Sequence, residues 1–174
     1  MLDDWASLGD RLDGLWATLE PDAWAVTVTE PADNVDLGPV PLGRLALARL
    51  TEVDVHGGDL DIDLADWSTT LVDVALPTRL AWLETRRTSH READRSVQGS
   101  WLLVADELRW LVAVDGDRVT SMPVHGSVAP PRATISGTRR DLLALLLGRE
   151  RLQPLEITGD AEFAARFERA FPGP

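Results

Sequence analysis

The spacing of apolar residues changes character near the middle of the chain, and this change constrains the fold more than any other feature. Before residue 86, apolar side chains recur at steps of three and four residues, which is typical of helices with one buried face. After residue 95, they occur in short runs bounded by Gly, Pro and Asp, which is typical of strands and turns. The pattern predicts an α+β protein with a helical front half and an α/β back half.

A charged segment separates the two patterns. The segment from Arg86 to Arg95 is short of apolar residues and has no period, so it is predicted to be a linker. We therefore expect two small domains, at 1–88 and 95–174. All strands are expected behind the linker, apart from a short extended piece near Leu60 to Leu64.

Three helices are predicted in the front half. The buried face of the first comprises Leu2, Trp5, Leu8, Leu12, Leu15, Trp16 and Leu19. A loop over 26–41, rich in Pro and Gly, leads to a second helix from about Leu42 to His56, which the pair Gly57-Gly58 should end. The third covers 67–87. Pro77 should kink or split it, because Pro lacks an amide donor and clashes with the preceding turn.

Five strands and two helices are predicted in the back half. The strands are 97–104, 108–114, 118–124, 133–135 and 154–158. The sequence Asp115-Gly116-Asp117 is a strong hairpin signal between the second strand and the third. A short apolar helix over 141–147 should end at Gly148, and Asp160 should cap a final helix that runs through Phe171.

Composition argues against several functional classes. With 29 acidic and 17 basic residues, the formal net charge is −12, which argues against nucleic acid or an anionic membrane as a partner. The chain has no Cys, which removes disulfides, Cys-based metal sites and a Cys nucleophile. An acidic N-terminus, and the lack of any apolar run near ~18 residues, predict a soluble cytoplasmic protein.

Glu52 and His56 are the candidate metal ligands. They are four residues apart on the second predicted helix, so both lie on one face about a turn from each other. A carboxylate oxygen beside an imidazole nitrogen is half of a zinc-like site, which needs three or four protein ligands. A solvent-exposed Glu–His pair is the alternative interpretation.

Two neighbours could modify that pair. Asp59 could accept a hydrogen bond from the second ring nitrogen of a ligand His, or its role could be limited to stabilising a turn. Arg49 could form an ion pair with Glu52, which would compete with a metal. The acidic run over 59–66 lacks the Gly and Glu positions of a calcium loop.

Arg149, which follows Gly148, is the basic candidate for binding an anionic substrate. A guanidinium can bind a carboxylate through two hydrogen bonds. Interaction with the C-terminal dipole of the preceding helix is the alternative role. His90 and His125 lie in loops without an acidic partner, so a hydrolase triad is not predicted.

The motif Arg49-x-x-Glu52-x-x-x-His56-x-x-Asp59 resembles the fourth-helix motif of the mycothiol-dependent maleylpyruvate isomerase family. That family joins a DinB-like four-helix bundle to a small sterol-carrier-like α/β domain. The back half is similar to this second domain over Trp101 to Val104, Trp110-Leu111-Val112, Ile135-Ser136-Gly137, Asp141-Leu142-Leu143, Leu147-Gly148-Arg149 and Thr158-Gly159-Asp160. Nothing in the chain matches the first two helices of the family, or the metal-binding His on the second of them.

The resemblance implies zinc, or another divalent metal, and mycothiol as cofactors, with Glu52 and His56 as two of the ligands. The metal would lower the pKa of the thiol, and the thiolate would add to the double bond of a maleylpyruvate-like electrophile, permit rotation and leave. Arg149 would anchor a substrate carboxylate. The second hypothesis is a non-catalytic binding or dimerisation module with a degenerate metal site. We also expect the chain to be weak or inactive as a monomeric isomerase and to associate with itself, because a symmetric homodimer would supply the absent half of the bundle.

Overall fold

The computed structural model describes residues 2–29, 39–59, 67–89, 91–149 and 155–173. Helices and strands are both abundant, so the protein belongs to the α+β class, as predicted. The chain forms two compact units: an N-terminal unit, Met1–Leu60, and a C-terminal unit, Asp61–Pro174. Within the described ranges, no helix combines the length and apolar character that a membrane span requires.

The N-terminal unit contains two helices, α1 (Leu2–Ala17) and α2 (Leu42–Asp59). A 3-10 turn over Pro21–Ala25 and two short antiparallel strands, β1 (Thr27–Val28) and β2 (Val40–Pro41), connect them. This strand pair corrects the expectation that strands lie only behind the linker. The predicted extended piece at Leu60 to Leu64 lies outside the described residues.

Helix α2 continues through Gly57 and Gly58 to Asp59, so the two glycines do not end it where the sequence predicted. Glycine in a helix interior costs only about 1 kcal/mol relative to Ala, and no Pro follows to force a stop. The helix therefore covers every position of the Arg49-to-Asp59 motif.

Two helices that the sequence assigned to the front domain belong to the C-terminal unit. These are α3 (Thr69–Ala81) and α4 (Leu83–Ser89). The side chain of Ser68 caps α3 by accepting a hydrogen bond from the Leu71 amide at 3.2 Å. The predicted split occurs at Trp82, beyond Pro77. Because α3 buries its apolar face within this unit, the compact units divide at residue 60, ahead of the predicted boundary.

A five-stranded sheet forms the centre of the C-terminal unit. Its strands are β3 (Gly99–Ala105), β4 (Leu108–Asp115), β5 (Arg118–Pro123), β6 (Ala133–Ser136) and β7 (Glu156–Gly159). Their order is β5-β4-β3-β6-β7, and only the β3–β6 pair is parallel. Gly116, at φ 61°, makes the predicted hairpin between β4 and β5.

Three further helices complete this unit: α5 (Arg139–Leu147), α6 (Ala161–Ala164) and α7 (Phe167–Ala170). Asp160 caps α6, as predicted, by accepting from the Phe163 amide at 2.9 Å. The sequence predicted one final helix, whereas the structure has two short helices there, α6 and α7. The indole of Trp101 stacks on Phe163, with ring centroids 4.3 Å apart, and meets Phe167 edge-on at 5.5 Å. These aromatic rings join the last helices to the sheet.

Candidate functional site

Glu52 and His56 both lie within α2, four residues apart. The helical backbone therefore places the two positions on one face, which is the first condition for a shared metal. His56 is exposed, and the side chain of Glu52 lies outside the description. Arg49 is also exposed, and one of its guanidinium nitrogens lies 3.6 Å from where a Cβ on Gly9 would be, so it reaches α1.

Among the described side chains, those around α2 do not complete a zinc site. In the part of the chain that the structure describes, no group of three or more His, Cys, Asp or Glu side chains could hold a metal ion. Zinc needs three or four protein ligands, and α2 supplies two candidates. Asp59 is the last residue of α2, and its side chain is not described. The roles of Glu52, His56, Arg49 and Asp59 stay predictions.

Arg149 lies at the end of α5, in the C-terminal unit. Gly148 ends that helix in the left-handed conformation, at φ 67°, and the amide of Arg149 donates to the carbonyl of Ala144 at 3.0 Å. The exposed Arg149 side chain lines a cleft of about 410 Å³, which we call the Arg149 cleft. The other lining residues are Leu145, Gly148, Glu168, Phe171, Pro172 and Gly173.

Two glycines, Gly148 and Gly173, are in close contact at this cleft. A Cβ on Gly173 would lie 2.7 Å from the Cα of Gly148, and a Cβ on Gly148 would lie 3.0 Å from the Cα of Gly173. Only residues without a side chain allow the C-terminal segment to approach the end of α5 so closely. On another wall, Oε1 of Glu168 is buried and has no hydrogen-bond partner among the described residues.

Two arginines that the sequence placed in a linker are packed against the helices. The fully buried Arg87 donates through Nη1 to the carbonyl of Ala170 at 3.3 Å and through Nη2 to that of Val97 at 3.5 Å. Arg86 donates to the carbonyl of Leu146. Burial lowers the pKa of Arg86 to about 10, and the charge of Arg79 adds to this effect.

The remainder of the predicted linker is also tied to the unit. The amide of Asp94 donates to the carbonyl of Arg169 at 2.8 Å. Hydrogen bonds from Ser96 and then from Arg166 hold the pKa of Asp94 at about 2. The segment over 86–95 is thus part of the C-terminal unit. The charged composition of the segment did not indicate this packing, because most of the groups that accept its hydrogen bonds are backbone carbonyls distant in the sequence.

A scan of protein-family models found no match to this chain, and neither did a search of curated proteins. Among solved structures, the chain is similar to the solution NMR structure of palmitated SCP2L2 from Aedes aegypti, with 21% identity and a TM-score of 0.42, over 55% of this chain and 92% of that one. The chain is also similar to the crystal structure of sterol carrier protein 2 like 2 from Aedes aegypti, with 22% identity and a TM-score of 0.39, over 55% of this chain and 94% of that one.

A third structure is described as UbiJ-SCP2, a ubiquinone synthesis protein. It shares 18% identity with this chain and has a TM-score of 0.30, over 57% of this chain and 84% of that one. About half of the chain is thus similar to sterol-carrier structures. The comparisons give no support for the isomerase or DinB-like part of the resemblance. Identities and TM-scores at this level assign neither a family nor a ligand.

Proposed function

We propose that the chain binds a small organic acid with an apolar body in the Arg149 cleft. The observation that carries this proposal is the composition of that cleft, in which the guanidinium of Arg149 is combined with the apolar side chains of Leu145, Phe171 and Pro172. A carboxylate would receive charge-assisted hydrogen bonds from Arg149, while the body of the ligand would pack on the apolar walls.

Glu168 narrows the choice of ligand. Glu168 lines the cleft, so its carboxylate can accept a hydrogen bond from a hydroxyl or enol of the ligand. A second carboxylate close to Glu168 would be repelled. We therefore expect the cleft to prefer a monoanion to a dianion, unless the second charge of the dianion points away from Glu168.

Calorimetric titration of the full chain with hexanoate tests the binding proposal. We expect Arg149→Gln to weaken hexanoate binding about tenfold and to leave the neutral isostere hexanamide unaffected, because only the carboxylate makes a charge-assisted hydrogen bond. Arg118→Gln removes the same charge from an exposed position on β5 and should change neither affinity. Equal hexanoate affinity in the native chain and Arg149→Gln would exclude this role for Arg149.

A second candidate function is the metal- and mycothiol-dependent isomerisation or conjugation of a maleylpyruvate-like electrophile. The observation in its favour is that α2 runs unbroken from Leu42 to Asp59, so it carries the whole motif on one helix. If this function is correct, Glu52 and His56 hold a zinc-like ion, and this ion would activate the cofactor thiol.

A non-catalytic binding or dimerisation module is the alternative to that enzyme. Under this alternative the Arg149 cleft still binds the organic acid, and no metal is required. Turnover of maleylpyruvate separates the two functions. Isomerisation that depends on mycothiol and is lost in His56→Asn supports the enzyme, whereas hexanoate binding without turnover supports the module.

A further inference from the structure

A second cleft in the C-terminal unit is lined by two arginines and a histidine. It has a volume of about 270 Å³ and lies where β4 begins and β5 ends, beside the first residue of α5. Its basic side chains are Arg109, His125 and Arg139, and Glu107 is the acidic one. In a chain with a net charge of −12, basic groups gathered in one cleft favour an anionic ligand there.

The cleft has an apolar wall whose orientation is set by hydrogen bonds. Nε1 of Trp110 donates to Oγ of Ser121 at 2.8 Å, and that Oγ donates to the carbonyl of Leu80 at 2.6 Å. Leu108 and Pro123 continue the apolar lining. A flat apolar group can therefore pack against an indole that is already positioned.

Both arginines are held by groups that lie outside the lining of the cleft. Nη1 of Arg109 donates to the carbonyl of Gly126 at 2.9 Å, and Nη1 of Arg139 lies 3.1 Å from Oδ1 of Asp73. Nε of Arg139 is buried with no acceptor among the described residues, so its charge is only partly compensated. A guanidinium has several N–H donors, and a single anchoring contact leaves others for a ligand.

We propose that this cleft, which we call the Arg109–Arg139 cleft, binds a small oxyanion that carries a flat apolar body. Arg109 and Arg139 hold the carboxylate or phosphate head through charge-assisted hydrogen bonds, and the body packs on Trp110. His125 adds a donor from the same lining. Glu107 and Asp73 oppose the anion and limit its affinity. This site is separate from the Arg149 cleft and stands without it.

NMR titration of the full chain with benzoate tests the proposal. The indole N–H signal of Trp110 is one of seven tryptophan signals and is identified by its loss in Trp110→Phe. Benzoate should shift it saturably, and neutral benzamide should bind about tenfold more weakly, because it lacks the charge. Phenyl phosphate and inorganic phosphate, each titrated alone, distinguish a phosphate-headed ligand from a carboxylate.

Charge variants separate ligand binding from structural support. Arg109→Gln and Arg139→Gln should each weaken benzoate binding about tenfold. Asp73→Asn breaks the same ion pair as Arg139→Gln but should tighten binding, because it removes an opposing charge. Glu107→Gln should tighten binding too, and Arg149→Gln should bind benzoate at this site like the native chain. The proposal is overturned if no anion shifts the Trp110 signal saturably, or if Arg109→Gln and Arg139→Gln both bind benzoate as the native chain does.

Discussion

Arg87 is the only buried polar or charged side chain among the residues that the structure describes. Burial of a guanidinium costs several kcal/mol unless hydrogen bonds replace its water. Two carbonyls accept from Arg87, and its guanidinium carbon lies 5.8 Å from the ring centroid of Phe171, but its Nε has no acceptor in the described structure. Burial accordingly lowers the pKa of Arg87 below its ordinary value. Because the burial cost offsets the hydrogen bonds, we expect the side chain to contribute to stability mainly by filling volume.

This balance predicts different outcomes for two substitutions of Arg87. Arg87→Met keeps most of the volume and removes the unsatisfied donor, so the free energy of unfolding should change by less than about 1.5 kcal/mol. Arg87→Ala leaves a cavity among Val97, Ala170 and Phe171 and should cost about 2–5 kcal/mol. Urea unfolding measures both, with the exposed Arg118→Ala as the control, expected within about 0.5 kcal/mol of the native chain. Equal losses in the Met and Ala variants would contradict the role as a filler.

At the scale of elements, the contact between the end of α5 and the C-terminal segment connects stability to the Arg149 cleft. A Cβ on Gly173 would lie 2.7 Å from the Cα of Gly148 and 3.0 Å from the carbonyl oxygen of Leu147, and both of these are backbone atoms. A close contact with backbone cannot be relieved by turning a side chain. The segment that contributes Phe171 and Pro172 to the cleft would have to move.

Gly173→Ala should therefore lower the free energy of unfolding by about 1–3 kcal/mol and weaken hexanoate binding at the same time. The matched control is Gly14→Ala, because an added Cβ at Gly14, on α1, meets nothing within 4 Å. Alanine is the better helix former, so this control should stabilise the chain slightly. Unchanged stability and unchanged hexanoate binding in Gly173→Ala would show that the glycine contact does not shape the cleft.

The sequence predicted the elements whose signals are local. The alternation in β3 to β5, the Gly116 turn and the Gly148 stop each depend on a few neighbouring residues, and all of them are present. Features set by distant partners were missed. The β1–β2 pair joins residues that are not neighbours in the sequence, and α3 joins the C-terminal unit by packing that its own pattern does not specify.

In the candidate site, too, features with local sequence signals were predicted and features that depend on distant residues were not. The helical placement of Glu52 and His56 followed from the period of α2, and Arg149 was selected from its place after Gly148. The cleft around Arg149 could not be predicted, because Glu168 and Phe171 reach it only through the fold. Arg109 and Arg139 were missed for the same reason, since β4 and α5 meet at their cleft only in the folded unit.

At the scale of the whole molecule, few of the described side chains in the N-terminal unit are buried. Among its described side chains, only Val40 and Val55 are buried. Leu15 is 58% exposed, Val26 56% and Val53 48%. The described part of the unit thus buries little of the apolar surface that a small domain needs for stability.

We predict that a second copy of the chain packs against this unit, and that the two copies share a zinc ion. Two ligands bind zinc weakly, but a two-fold axis beside α2 would bring two Glu52–His56 pairs together and so offer four ligands. Sedimentation velocity should show a dimer that dissociates when a chelator removes the metal, and metal analysis should find one zinc per two chains. Glu52→Gln and His56→Asn should lose both the zinc and the dimer, whereas His125→Asn, in the other unit, should lose neither. A monomer that holds one zinc per chain would show that the missing ligands lie within a single chain, and a dimer without zinc would support the dimerisation module instead.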